Sequence, residues 1–251
     1  MRFVFLLLSF QLLGQFKTEE PIRYLALGDS YTIGESVSYD QRWPSQLYDT
    51  LGGLGLEQDT LVYLATTGWT TSSLKNAVSS IPTNIDFNLV SLLIGVNNQY
   101  QGKPFNIYKK EFPELVETAL EFTGGQKEHL FVVSIPDYAY TSFGRGNVNI
   151  SNQLDDYNQF AENYCDSLGI TFYYITSISR QGLDKPELVA ADGLHPSGLQ
   201  YSLWVDLIMS DYEEELLTLI ERNTLQSLTM EGTMNKLLSM NETVGEYQII
   251  N

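Results

Sequence analysis

The chain has 251 residues, 43% of them hydrophobic, which is enough to pack one domain of ordinary size. Its formal net charge of −17 repels phosphate at range, which argues against nucleic acid as a partner and leaves neutral ligands open. Cys165 is the only cysteine, so no intramolecular disulfide can form.

In chain order, residues 1–20 begin with Met1, Arg2 and an apolar run from Phe3 to Leu13. One positive charge followed by an apolar stretch too short for a membrane span (about 20 residues) is the pattern of an export signal. The expected mature protein is secreted or periplasmic, with no stable membrane span. Arg23 to Leu27 then reads as a strand and Trp43 to Leu51 as a helix. Leu61 to Ala65 is the second strand, followed by a short helix from about Thr71. Val90 to Ile94 is a continuous apolar strand, and Ile107 to Phe122 carries helical spacing in Tyr108, Phe112, Leu115, Val116, Ala119 and Leu120. Leu130 to Ile135 is the fourth strand, Leu154 to Leu168 a helix closed by Gly169, and Ile170 to Ile175 the fifth strand. Cys165 falls on that last helix and reads as a small buried hydrophobe. From about Asp211 an acidic amphipathic helix begins, and Leu225 to Met240 is a weaker helical candidate. Residues 211–251 thus form a C-terminal helical extension beyond a domain at 21–210, available for packing on the domain or for self-association.

Runs that are apolar on both faces and alternate with helices predict an α/β fold: a five-stranded parallel sheet with helices on each side. The small and polar residues then fall in one place. Gly28, Asp29 and Ser30 follow the first strand, Thr66 to Gly68 the second, and Gly95 to Asn98 the third. Asp192 and His195 come on the return after the fifth. In an open parallel sheet all these positions lie on the carboxyl edge, where ligands bind. The other histidine, His129, precedes the fourth strand and so belongs to the opposite edge, with a surface or packing role. The loop from Asp137 to Gly146, aromatic and glycine-flanked, suits a mobile pocket wall as well as an ordinary surface loop.

Asp192-Gly193-Leu194-His195 puts a carboxylate and an imidazole three residues apart. A serine nucleophile needs a base for its proton, and the base needs an anion to fix its tautomer and steady its positive charge. Ser30 offers the hydroxyl; read with Asp192 and His195 it makes a serine hydrolase.

From about Tyr24 to Trp204 the sequence resembles the SGNH hydrolases, the GDSL family of esterases and lipases. Gly28-Asp29-Ser30 with Gly34 matches the first block of that family, Gly68 the second, Gly95-x-Asn97 the third, and Asp192-x-x-His195-Pro196 the fifth. The resemblance implies a flavodoxin-like three-layer α/β/α sandwich and a carboxylic ester as small-molecule substrate. It also implies an oxyanion hole made by the backbone N–H groups of Ser30 and Gly68 and the side-chain amide of Asn97. Gly28, Asp29 and Gly95 support these residues, Asp29 through loop backbone. Asn98, Gln99 and Tyr100 are expected to line the pocket. Two positions depart from the family pattern: Asn98 stands where aspartate is frequent, which bears on a supporting hydrogen bond, and Trp69 follows the glycine, which bears on pocket shape. No metal is needed and no cofactor is expected.

Three other readings compete. An acyltransferase would use the same residues with an alcohol in place of water. A non-catalytic ligand-binding member of the fold would be free to lose Ser30, Asn97, Asp192 or His195, yet all four are present. A phosphate cradle for a flavin-type ligand lacks any Gly-x-Gly-x-x-Gly or Walker pattern, and the acidic turn would repel phosphate.

Overall fold

The five strands pair side by side, all parallel, with the second in chain order at one edge, followed by the first, third, fourth and fifth. A computed structural model describes residues 20–81 and 87–210; the expected export signal, apart from Glu20, and the extension at 211–251 lie outside the described residues. The strands are β1 (Ile22–Gly28), β2 (Gln58–Ala65), β3 (Leu89–Leu93), β4 (Leu130–Val133) and β5 (Thr171–Tyr173). The three inner strands are buried almost throughout, whereas the flanking β2 has no buried residue. A strand covered on both faces has no polar alternation, which is why β1, β3 and β4 read as mostly apolar runs, broken only by Arg23 in β1 and Ser91 in β3.

The helices are α1 (Ser30–Ile33), α2 (Trp43–Gly53), α3 (Thr71–Val78), α4 (Val96–Tyr100), α5 (Phe105–Phe122), α6 (Val148–Leu168), α7 (Thr176–Ser179) and α8 (198–210). Parallel crossovers are right-handed, so the direction of each step across the sheet decides the face of its helix. The step from β1 to β2 runs one way; the steps from β2 to β3, β4 and β5 run the other. Crossover α2 therefore sits on one face and α3, α5 and α6 on the opposite face. The contacts agree. Thr71 and Ser72 of α3 donate to the Glu111 carboxylate of α5 at 2.6 and 2.8 Å, and Tyr164 of α6 donates to Glu117 of α5 at 3.4 Å. On the other side, Gln46 of α2 donates to the Gly198 carbonyl at the start of α8 (3.1 Å). The architecture is the expected three-layer α/β/α sandwich.

Differences from the sequence expectation have local causes. Strand β4 stops at Val133 rather than Ile135 because the Ile135 N–H turns to Asn158 Oδ1 (2.7 Å) on α6. Strand β5 stops at Tyr173 because the N–H groups of Ile175 and Thr176 both turn to Ser134 Oγ, at 2.9 and 3.2 Å. Helix α6 starts at Val148, six residues earlier than its apolar periodicity, because the Asn147 side chain caps it by accepting from Asn149 N–H. The short helices α1 and α4 occupy stretches that read as loops.

At the carboxyl edge, Gly28 of β1 pairs with Leu93 of β3. A Cβ at Gly28 would stand 2.5 Å from the Leu93 carbonyl oxygen and 2.0 Å from Thr32 Oγ1. The Gly28→Ala variant must therefore push two strands apart, and the expected loss is about 2–3 kcal/mol of folding stability. A urea midpoint unchanged from the parent would show that this close approach is not required.

Candidate active site

At Gly28 the chain leaves β1 and turns at once into α1. Asp29 caps that helix, its Oδ1 accepting from the Tyr31 N–H at 3.0 Å, and Gly34 ends it in the left-handed region (φ 64°). This tight strand–turn–helix leaves Ser30 on the first turn, only 5% exposed. The loop after β2 folds back through a Trp69 N–H to Thr66 carbonyl bond of 3.2 Å. It puts Gly68 at φ 82°, a conformation that favours glycine; an added Cβ would meet no protein atom there, so backbone geometry and not crowding sets the residue type. Two side chains hold this loop. Gln101 Nε2 donates to the Gly68 carbonyl (2.9 Å), and the Thr67 hydroxyl donates to the Glu35 carboxylate. After β3, Gly95 (φ 130°) opens α4 against the ring of Tyr108, which a Cβ would approach to 2.5 Å. Asn97 follows, buried, with its Nδ2 3.5 Å from Asp29 Oδ2.

The Asp192–His195 turn is closed by its own backbone. Gly193 N–H donates to the Ala190 carbonyl at 2.9 Å, and Ala190 N–H to the His195 carbonyl at 2.7 Å. Asp192 Oδ1 accepts from the N–H groups of Leu194 (2.9 Å) and His195 (3.0 Å), and Oδ2 lies 2.6 Å from His195 Nδ1. Burial works to raise the Asp192 carboxyl, but hydrogen bonds from the His195 ring, the Ser36 hydroxyl and the two N–H groups outweigh it and hold it well below the usual carboxylate range. An ionised carboxylate can only accept, so Nδ1 carries a proton and the neutral ring keeps its basic lone pair on Nε2.

Ser30, Gly68, Asn97 and His195 all line one cavity of about 260 Å³, together with Tyr31, Val96, Tyr100, Tyr138, Phe143 and Leu194 among others. Four segments far apart in sequence thus meet where the sequence reading placed them. Among the described residues the Ser30 hydroxyl and His195 Nε2 make no direct hydrogen bond; such bonds are commonly long in an unliganded site and tighten around substrate. Tyr100 lines the cavity as expected, but Asn98 and Gln99 are not among its lining residues. Gln99 accepts from the Tyr138 hydroxyl at 2.8 Å, and Asn98 is turned to α3. There Asn98 Oδ1 accepts from Thr71 N–H (2.9 Å) and Nδ2 donates to Thr71 Oγ1 (2.7 Å), whose proton goes to Glu111 (2.6 Å). An aspartate could not donate into this chain, which already ends on a carboxylate. Trp69 does not line the cavity either. His129 is buried at the far edge of the sheet, and Cys165 is buried with its thiol pushed up by desolvation to about 12, an inert packing group.

The 137–146 loop forms one wall through Tyr138 and Phe143. It is tied at both ends: Arg180 Nε donates to Asp137 Oδ2 (2.9 Å), and Phe143 N–H donates to the Gly193 carbonyl (3.0 Å). Sequence reading missed Ser36 and Gln101, since a polar residue in a loop carries no signal of the distant group it will meet.

The sequence model of the GDSL-like Lipase/Acylhydrolase family matches residues 26–203. No curated protein matches the chain. Among solved structures, the fold is similar to that of TesA, at 14% identity and TM-score 0.61, covering 76% of this chain and 98% of that one. It is similar to a lipase/acylhydrolase from Enterococcus faecalis, at 19% identity and TM-score 0.58, covering 77% and 96%. It is also similar to Axe2, an acetylxylan esterase from Geobacillus stearothermophilus, at 16% identity and TM-score 0.60, covering 78% and 95%.

The two carboxylates of the site stand in opposite surroundings. Asp29 is fully buried, and desolvation pushes it up to about 7 against the hydrogen bonds from Tyr31 N–H and the Asn97 amide. Its affinity for a proton is thus higher folded than unfolded, where a carboxyl titrates near 3.8. Between those values the folded state holds the extra proton, so this residue's contribution favours folding at about pH 4 and is lost as pH rises toward 7. At about 1.4 kcal/mol for each tenfold change in proton affinity, the loss is on the order of a few kcal/mol. Thermal melts across that range should show Asp29→Asn with a flatter fall in Tm than the parent. Parallel curves for the two proteins would mean that Asp29 titrates as an ordinary carboxyl.

Proposed function

The chain belongs to the GDSL-like lipase/acylhydrolase family and is a carboxylic ester hydrolase, and from that premise we propose that it works through an acyl-enzyme formed on Ser30. Ser30 Oγ attacks the ester carbonyl while His195 Nε2 takes the hydroxyl proton. Asp192, through its bond to Nδ1, keeps the ring in the required tautomer and stabilises the imidazolium. The carbonyl oxygen becomes an oxyanion, met by the N–H groups of Ser30 and Gly68 and by Nδ2 of Asn97. Collapse of the tetrahedral intermediate expels the alcohol, which receives the proton from His195. Water then enters, gives its proton to the same nitrogen, and releases the carboxylic acid and free Ser30.

The observation that carries this reading is the convergence of Ser30, Gly68, Asn97 and His195 on one cavity, with Asp192 Oδ2 2.6 Å behind the imidazole. Asp29 takes a supporting part. Its carboxylate faces one proton of the Asn97 amide, which fixes the side chain and leaves the second proton for the oxyanion.

The cavity also supports a substrate class. Tyr31, Val96, Tyr100, Tyr138, Phe143 and Leu194 give it apolar walls, and among the described residues no lysine, arginine or carboxylate lines it. A charged acyl group would lose its hydration there without gaining a partner. At about 260 Å³ the space lies at or below the small end of ligand sites, which run to about 300–1,000 Å³, so it suits a short, uncharged acyl group. Hydrolysis is favoured over acyl transfer because Tyr100 and Phe143, on the rim, remain about half exposed (58% and 48%), leaving water a path to the acyl-enzyme.

Ser30→Ala and His195→Ala should each cut kcat on p-nitrophenyl acetate by about 10⁴-fold or more while the circular-dichroism melt stays that of a folded protein. Retained turnover in either variant would reject the assignment. Asn97→Ala should lower kcat by about 10²–10³-fold with little change in KM; an effect confined to KM would remove Asn97 from the oxyanion hole. Across p-nitrophenyl esters, acetate and butyrate should be cleaved with higher kcat/KM than palmitate, and the reverse order would contradict the small acyl site.

A further inference from the structure

Ser36 stands six residues beyond the nucleophile and plays no part in the chemistry above. Its hydroxyl donates to Asp192 Oδ2 at 2.7 Å, on the same oxygen that binds His195 Nδ1 at 2.6 Å. The other contacts of that carboxylate are local, made by the backbone N–H groups of Leu194 and His195 and by the His195 ring. Ser36 is therefore the side chain that ties the acid–base turn to the segment carrying the nucleophile. Its backbone is also unusual. Ser36 has φ 68°, and among the described residues only Arg145 shares a positive φ without being glycine. Glycine would adopt that conformation without strain, so a serine there keeps its hydroxyl at a conformational cost. Asp192 needs the help, because its side chain is 30% exposed and, without Ser36, Oδ2 would be held by the imidazole alone.

We infer that Ser36 is a positioning residue of the hydrolase, acting through Asp192: it fixes the carboxylate that orients His195 and draws off part of its negative charge. The inference rests on the Ser30–His195–Asp192 reading. The hydroxyl shares Oδ2 with the imidazole, so it weakens the pull of that oxygen on the imidazolium. Remove it, and the carboxylate holds the imidazolium more strongly while being less well placed. Of the other titratable groups, Tyr31 beside Ser30 and Tyr201 on α8 face Asp192; Tyr31 in turn faces Asp29, Asp137 and Tyr138, and Tyr201 faces Asp29 and Arg42, and none changes in the variants below.

The test compares Ser36→Gly with Ser36→Ala in the full chain, using p-nitrophenyl acetate. Both variants lose the hydroxyl, but only alanine keeps the strained backbone. Both should lose kcat by about tenfold, the order for one hydrogen bond to a charged group, with KM unchanged and the acid limb of kcat/KM moved to higher pH. Their stabilities should differ, Ser36→Gly melting above Ser36→Ala. A kinetic defect confined to the alanine variant would assign the effect to backbone strain and overturn the inference. An acid limb that stays in place in both variants would overturn it equally, whatever happens to kcat. Ser30→Ala serves as the reference. If it retains activity the reading of the whole site fails; if it is inactive while Ser36→Gly matches the parent, only the role of Ser36 fails.

Discussion

The close approach of β1 and β3 at their carboxyl ends governs the site. The sheet order places β2 to one side of β1 and β3 to the other, so the chain reverses its direction of travel between them. At that switch point the loops after β1 and β3 diverge to opposite faces and leave a crevice, which is where open α/β sheets bind ligands. Gly28 opposite Leu93 lets the strands stay in register to their last residue. Ser30 and Asn97 are then delivered from adjacent strand ends, and Asp29, between them, accepts from the Asn97 amide. Replace the glycine, and the two halves of the crevice lose their common reference.

Asp29 and Asp192 divide the electrostatic work between them. Asp192 is partly wet and surrounded by donors, so it stays ionised and can stabilise an imidazolium. Asp29 is dry, and burial outweighs its two hydrogen bonds. The same side chain thus serves as a permanent anion in one place and as a reluctant one in the other, a separation that active sites exploit when two carboxylates need different roles. The strongly acidic chain adds to the case for a neutral substrate, since an anionic ester would be repelled before it reached the cavity.

Much of this was legible in the residues. Apolar runs such as Leu130 to Val133 announced buried parallel strands, because only a strand covered on both faces can dispense with polar alternation. Placing Ser30, Gly68, Asn97, Asp192 and His195 on one edge followed from that sheet and needed no coordinates. What stayed hidden depends on partners distant in sequence. Strands β4 and β5 end where Asn158 and Ser134 capture their N–H groups, and neither residue advertises that in its own neighbourhood. Ser36 reaches across 156 positions to Asp192, and Asn98, which looked like a pocket residue, turns instead to Thr71. Periodicity reports burial, and it is silent about which buried polar groups will find one another.

The activation proposed for the Ser30 hydroxyl would also make it reactive, and that reactivity can be read without knowing the natural ester. The direct measurement is to expose the intact protein to a serine-directed fluorophosphonate and locate the adduct by peptide mass spectrometry. One adduct per chain is expected, on the peptide containing Ser30, with its formation slowed severely by His195→Ala and ester turnover lost in step with labelling. An adduct on a different serine, or full turnover by a protein whose Ser30 remains unlabelled, would contradict it.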